Sequence, residues 1–144
     1  MRRVLVLHGP NLNMLGVREP SLYGDWSFER LKEAIEAKAQ ELGLEIEQFQ
    51  SNHEGELVEA IQKALGRFSC IVINPGAYTH TSVAIRDALL AVGIPTIEVH
   101  ISNIHARDEF RKRSFVSDVA KGVICGLGPM GYLLALEAAK EMLS

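Results

Sequence analysis

Short apolar runs of strand length alternate along the chain with longer stretches whose apolar residues recur every three or four positions, the pattern of βαβ units and a mostly parallel sheet. Val4-Leu5-Val6-Leu7 predicts a first strand buried on both faces. Phe28, Leu31, Ile35, Ala39 and Leu42 trace one face of a helix that Ser27 caps and Gly43 ends. Leu44 to Gln50 predicts a second, less apolar strand, followed by a helix with Leu57, Ile61 and Leu65 at four-residue spacing. Ile71-Val72-Ile73 and Ile94 to Val99 predict the third and fourth strands, separated by a helix that carries Ile85, Ala88, Leu89 and Val92 and closes at Gly93. Val123-Ile124-Cys125 predicts a short fifth strand, and a last helix runs from near Pro129 to about Leu143. The class is α/β. Without repeats, low-complexity tracts or linkers, residues 1–144 read as one domain.

One connection is too long for this layout. Residues 13–25 join the first strand to the first helix, where α/β units usually need roughly two to six residues. Gly16, Pro20 and Gly24 break any helix there, so the stretch reads as a lid with hinges or as a decorated surface loop.

In an open parallel sheet, ligands bind beyond the carboxyl ends of the strands. The first strand runs out into His8-Gly9-Pro10-Asn11-Leu12-Asn13, the third into Asn74-Pro75-Gly76-Ala77-Tyr78-Thr79-His80-Thr81-Ser82, and the fourth into Glu98-Val99-His100-Ile101-Ser102-Asn103. Convergence of three such polar ends predicts a binding site there. Period two puts Glu98 and His100 on one face of a strand that helices should cover. Two readings stand: a structural hydrogen-bonded pair, or a carboxylate-supported imidazole ready to deliver a proton. His80 belongs either to the site or to a helix entrance with Thr79, Thr81 and Ser82. In His105 to Arg113, basic residues three or four apart share a helical face; Arg107 and Arg111 are either solvated surface or reach a polar or anionic ligand.

Composition narrows the classes. A formal net charge of -3 gives no general basic field, which argues against wholesale nucleic-acid or anionic-membrane binding. No apolar run approaches the length of about 20 residues that spans a bilayer, and no signal peptide precedes Val4, so a cytoplasmic location is expected. Cys70 and Cys125 sit in apolar runs and read as buried reduced thiols. Gly126-Leu127-Gly128-Pro129-Met130-Gly131 fits G-x-G-x-x-G but lacks the strand and acidic residue that a dinucleotide site needs downstream, so it reads as a tight turn into the last helix. The five histidines have no zinc spacing, and neither a G-x-S-x-G elbow nor a P-loop occurs.

Gly9-Pro10-Asn11-Leu12-Asn13-x-Leu15-Gly16-x-Arg18-Glu19-Pro20-x-x-Tyr23-Gly24, with Asn74-Pro75-Gly76-Ala77-x-x-His80-Thr81-Ser82, Glu98-Val99-His100-Ile101-Ser102-Asn103, Arg107 and Arg111, resembles the type II 3-dehydroquinate dehydratases over nearly the whole chain. The resemblance implies a flavodoxin-like fold, a five-stranded parallel sheet with helices on both faces, and a homo-oligomer, a dodecamer of trimers. It implies a small-molecule substrate, 3-dehydroquinate, and no cofactor and no metal. The implied reaction is an anti elimination of water through an enolate, within the shikimate pathway. By the same resemblance Tyr23 removes the proton beside the ketone, His100 protonates the departing hydroxyl, Arg18 favours the tyrosinate, and Asn11 holds a water or donor at the enolate oxygen. Asn74 and His80 position the substrate, the backbone amides of Ile101 and Ser102 take its carboxylate, and Arg111 and Asp87 meet the ring hydroxyls. Glu98 and Arg107 support this shell.

The chemistry of these roles is physically reasonable. Bringing a tyrosine from a pKa of about 10 to about 7 requires roughly 4 kcal/mol, which one cation about 4 Å away supplies at an effective dielectric near 20. Arg18 is the only cation in the Tyr23 loop. Asp87 lies opposite the apolar face of its helix, so it is either surface or lent to a neighbouring copy. Two other functions compete: a flavodoxin-like module binding a flavin or phosphate without chemistry, and a Schiff-base dehydratase. The second needs a desolvated lysine, and every lysine lies among charged or helix-surface positions.

Overall fold

The computed structural model describes residues 2–17 and 26–144. Five strands, β1 (Arg3–His8), β2 (Glu45–Gln50), β3 (Cys70–Asn74), β4 (Thr96–His100) and β5 (Gly122–Cys125), form one sheet in the order β2-β1-β3-β4-β5. Every neighbouring pair is parallel. This is a flavodoxin-like order, with its switch point between β1 and β3.

Helices α1 (Phe28–Leu42) and α4 (Met130–Met142) cover one face, and α2 (Glu54–Lys63) and α3 (Val83–Val92) the other. Alternation along each strand divides the core. Val4, Val6, Val72, Ile97 and Val99 pack under α1 and α4, while Leu5, Leu7, Ile71 and Ile73 pack under α2 and α3. β3, β4 and all of β1 after Arg3 are thereby buried, as central strands of a parallel sheet must be. β2, at the edge, alternates exposed and half-buried residues, which is why it looked less apolar.

The helix limits follow local chemistry. The Ser27 hydroxyl accepts from the Arg30 amide at 3.0 Å, the Ser82 hydroxyl accepts from the Ile85 amide at 2.9 Å, and Gly43 and Gly93 end α1 and α3 in the left-handed region. Three expectations need correction. Leu65 does not continue the apolar face of α2; the helix ends at Lys63, Leu65 is exposed, and Ala64 and Phe68 fill the core instead. Nor is 105–113 one helix with a shared basic face. It is two separate 3-10 turns, Ile104–Ala106 and Glu109–Arg111, in a stretch whose one buried residue is Ile104 and which therefore lacks the apolar stripe that holds a surface helix. Cys70 is fully buried, its thiol pushed up to about 12 by burial, but Cys125 is only half-buried. Among the described residues, no helix is long and apolar enough to cross a membrane.

Candidate active site

At the carboxyl ends of β1, β3 and β4, on the switch-point side of the sheet, a cleft of about 530 Å³ opens. Each strand contributes through the segment that follows it: Asn11, Asn74 and His80, and then His100, Ile101 and Ser102, with Arg107 and Arg111 from the two 3-10 turns.

Glycine lets these segments meet. A Cβ on Gly9 would lie 2.5 Å from the carbonyl of Pro75, so only glycine allows the β1 and β3 ends to touch, and there the Gly9 amide donates to the Asn74 carbonyl at 2.7 Å. Gly126 is at φ +87°, with Asn103 against it. The Gly126 and Gly128 amides donate to the carbonyls of His100 and Ile101, so the G-x-G-x-x-G segment is a turn into α4 that holds the β4 end in place.

Asn11 is the one non-glycine residue with positive φ among those described, at 70°, a conformation that asparagine tolerates better than most residues. The Asn52 side chain holds it by accepting from the Asn11 amide at 2.9 Å. The Asn11 side chain caps no helix and is left for the cleft.

Glu98 and His100 are both buried, and the imidazole Nε2 donates to the carboxylate. Three hydroxyls also donate to that carboxylate: Thr79 at 3.1 Å, Ser114 at 3.0 Å and Ser117 at 2.6 Å. Burial alone would push the Glu98 carboxyl up, but hydrogen bonds from His100, Ser117 and Ser114, with the charge of His100, hold it below its ordinary value. Because a carboxylate only accepts, Nε2 carries a proton and Nδ1 is the nitrogen left for the cleft. The structural and functional readings of the pair are therefore compatible: an anchored carboxylate orients an imidazole at the floor of a cleft.

His80 obeys the same logic. Its Nδ1 donates to the Arg113 carbonyl at 2.7 Å, so in the neutral ring Nε2 presents a lone pair. It lines the cleft, whereas Ser82 caps α3. Arg107 donates to the Ser102 hydroxyl at 3.4 Å. Arg111 Nε is buried and has no hydrogen-bond partner among the described residues. Past the end of β4, the backbone amides of Ile101 and Ser102 likewise find no acceptor among them. A buried donor without an acceptor is costly, and the Arg111 guanidinium beside Arg107 and these two amides suits a ligand with carboxylate and hydroxyl groups.

The family model for class II dehydroquinases matches residues 2–140. The chain belongs to the class II dehydroquinases. It is 57% identical to the 3-dehydroquinate dehydratase of Methylococcus capsulatus, over 99% of this chain and 97% of that one. It is 56% identical to the 3-dehydroquinate dehydratase of Caldicellulosiruptor bescii, over 99% of each. Among solved structures, the type II dehydroquinase of Butyrivibrio crossotus superposes with a TM-score of 0.92 at 47% identity, covering 95% of this chain and 96% of that one. That of Propionibacterium acnes gives 0.92 at 44% identity, covering 98% and 97%.

Of the residues expected from the sequence to form a dehydroquinase site, Asn11, Asn74, His80, His100, Ile101, Ser102, Arg107 and Arg111 line one cleft, with Glu98 directly behind His100. Arg18 and Tyr23 lie outside the described residues, as does most of the expected lid. Asp87 is exposed on α3 and does not line the cleft of its own chain. Sequence reasoning missed Ser114 and Ser117 as partners of Glu98 and Asn52 as the partner of Asn11. None of the three carries a local signal of this role. It also left the apolar walls unassigned, chiefly Leu12, Met14, Leu15 and Ile104.

Proposed function

We propose that this chain converts 3-dehydroquinate to 3-dehydroshikimate in the shikimate pathway, as a hydro-lyase that uses no cofactor. Membership in the class II dehydroquinases supports the activity, and the observation that carries the mechanism is His100 at the cleft floor with Nε2 committed to the Glu98 carboxylate. Tyr23, from a lid spanning 13–25, takes the proton beside the ketone as tyrosinate, with Arg18 favouring that form. The electron pair moves to the ketone oxygen, where Asn11 places a water or its own amide. His100 then gives the Nδ1 proton to the hydroxyl, which leaves as water on the opposite face while the electron pair returns as the double bond. Delivery from Nδ1 requires the doubly protonated ring, and the Glu98 carboxylate balances its charge.

The substrate carboxylate is placed on the amides of Ile101 and Ser102, and its ring hydroxyls on Arg111, His80 and Asn74, with Arg107 fixing Ser102. Asp87, exposed on its own chain, reaches the cleft of a neighbouring copy in a homo-oligomer, a dodecamer of trimers in the cytoplasm. A Schiff-base route lacks its nucleophile here: no lysine lines the cleft among the described residues, and residues 18–25 contain none. The test is the ultraviolet absorbance of the conjugated enone on adding 3-dehydroquinate to the purified protein with a chelator and then with borohydride. Undiminished turnover in both supports the mechanism. A covalent lysine adduct with loss of activity refutes it.

A further inference from the structure

The segment that follows β2 takes no part in the mechanism above, yet it crosses the end of β1. In the order β2-β1-β3 the strands β2 and β3 are not neighbours, but Asn52 bonds to the segments after both β1 and β3. Its Oδ1 accepts from the Asn11 amide at 2.9 Å and from Gln50 Nε2 at 3.1 Å, and its carbonyl accepts from the Tyr78 hydroxyl at 2.7 Å. A backbone amide can only donate, so the oxygen of the Asn52 side chain is the atom that faces it. Gln50 is oriented in the same way, because its Nε2 also meets the Gly9 carbonyl, at 3.2 Å, which can only accept. Tyr78 packs against the core under α2 and α3, which ties the Asn52 backbone to a fixed point. Gln50, Asn52 and Tyr78 stand outside the cleft wall, whereas Asn11 is part of it.

The network holds a turn that has two forms. The Leu12 amide donates back to the Gly9 carbonyl at 3.4 Å, with Pro10 and Asn11 as the middle residues and Asn11 at φ 70°, ψ −3°. This is the third position of a type II turn, where φ is about +80°. Type I has the same closing hydrogen bond and also takes proline second, but its middle peptide is turned over and φ at the third residue is about −90°. The closing bond therefore does not choose between the forms, and a residue with a side chain at the third position favours type I. The Asn11 amide does choose, because its N–H belongs to the peptide that turns over. In the form present that N–H points to Asn52 Oδ1, and the Pro10 carbonyl lies against Gly76, where a Cβ would come within 3.1 Å of the oxygen. Turned over, the Pro10 carbonyl would face Asn52 Oδ1, acceptor against acceptor, and the Asn11 side chain would lose the direction that puts it on the cleft wall.

We propose that Asn52, oriented by Gln50 and Tyr78, is a positioning residue that selects the type II form of the Gly9–Leu12 turn and so keeps the Asn11 side chain directed into the cleft. The inference rests on the reading of Asn11 as the residue that serves the enolate oxygen.

The experiment is a double-mutant cycle in the intact enzyme, read by enone formation and by solvent exchange of the proton beside the ketone. Asn52→Ala removes the acceptor and leaves the backbone carbonyl that Tyr78 holds; Asn52 is exposed, so the change empties no core, and thermal unfolding is the control. It should lower kcat about tenfold and leave KM within about twofold of wild type, a loss of placement rather than of binding. Proton exchange should fall by the same factor, because both processes pass through the enolate. Asn52→Asp keeps an oxygen for the Asn11 and Gln50 donors and should recover most of what Asn52→Ala loses. Asn11→Gly removes the side chain at a position where glycine holds a positive φ without strain, and in that background Asn52→Ala should cost less than about twofold. Additive losses in the cycle, wild-type kinetics in Asn52→Ala, exchange untouched where elimination falls, or Asn52→Asp no better than Asn52→Ala would overturn the proposal. If Asn11→Gly is fully active, the role of Asn11 fails and the proposal with it. If Asn11→Gly is impaired and the cycle is additive, the proposal fails alone.

Discussion

Glu98→Gln is the substitution that most directly isolates the charge behind the proton donor. The glutamine keeps the length and shape of the side chain and one oxygen for the hydroxyls of Thr79, Ser114 and Ser117, all of which can rotate to accommodate an amide. What disappears is the negative charge hydrogen-bonded to His100 Nε2 in a buried setting. Two unit charges about 4 Å apart at an effective dielectric near 20 interact by about 4 kcal/mol, which corresponds to about a thousandfold in rate. The amide dipole restores part of this, so kcat should fall about 10²-fold to 10³-fold, within the range of general acid catalysis. KM should move little, because the anion and hydroxyl donors are untouched. The assay is steady-state enone formation, with solvent exchange of the proton beside the ketone followed by NMR. Exchange depends on the base and should persist when elimination has nearly stopped. A kcat within about threefold of wild type, or parallel loss of exchange and elimination, would refute the role given to the charge.

Acid should weaken the fold through His8. Its pKa lies near 4 in the fold against 6.5 outside it, so the neutral ring is preferred when folded; its contribution is complete above pH 6.5 and is lost as the pH falls towards 4. That difference corresponds to about 3 kcal/mol, which denaturant midpoints between pH 7 and pH 4 should reveal in the wild type and not in His8→Leu. Tyr23→Phe should lower kcat at least about a hundredfold with little change in ground-state binding, and in Arg18→Ala a higher pH should recover part of the rate as the tyrosinate forms; a nearly active Tyr23→Phe enzyme would move the base elsewhere. Asp87→Ala should raise KM and loosen the oligomer without unfolding the monomer, to be read by kinetics, sedimentation and circular dichroism together.

The parts of this molecule that were legible in its sequence are those whose causes lie within a few residues. Ser27 and Gly43 bracket α1 because a hydroxyl three residues from an amide and a left-handed glycine act locally, and the buried strands needed only their apolar runs. Glu98 and His100 were legible as a pair because period two is a local rule. Leu65 was misread because four-residue spacing persists in the sequence after α2 has stopped, and only the tertiary position of Phe68 shows which residue fills the core. The basic turns were misread for a similar reason: the charges recur at helical intervals, but no apolar stripe accompanies them. Ser114, Ser117 and Asn52 were not legible in their roles, because each acts on a residue at least sixteen positions away through a contact that the topology creates.

The Glu98 carboxylate also fastens a segment of chain. After β4 the backbone leaves the sheet through residues 101–113, which carry both cleft arginines, and Ser114 and Ser117 bring it back to the same carboxylate that steadies His100. One side chain is thus both the counter-charge of the acid and the clasp of the segment that grips the ligand. Neutralising it and removing it are therefore different injuries. Glu98→Gln blunts the acid but leaves the clasp largely fastened, whereas Glu98→Ala opens both, freeing the arginine-bearing segment to exchange its amide hydrogens as a unit and coupling any loss of chemistry to a loss of grip.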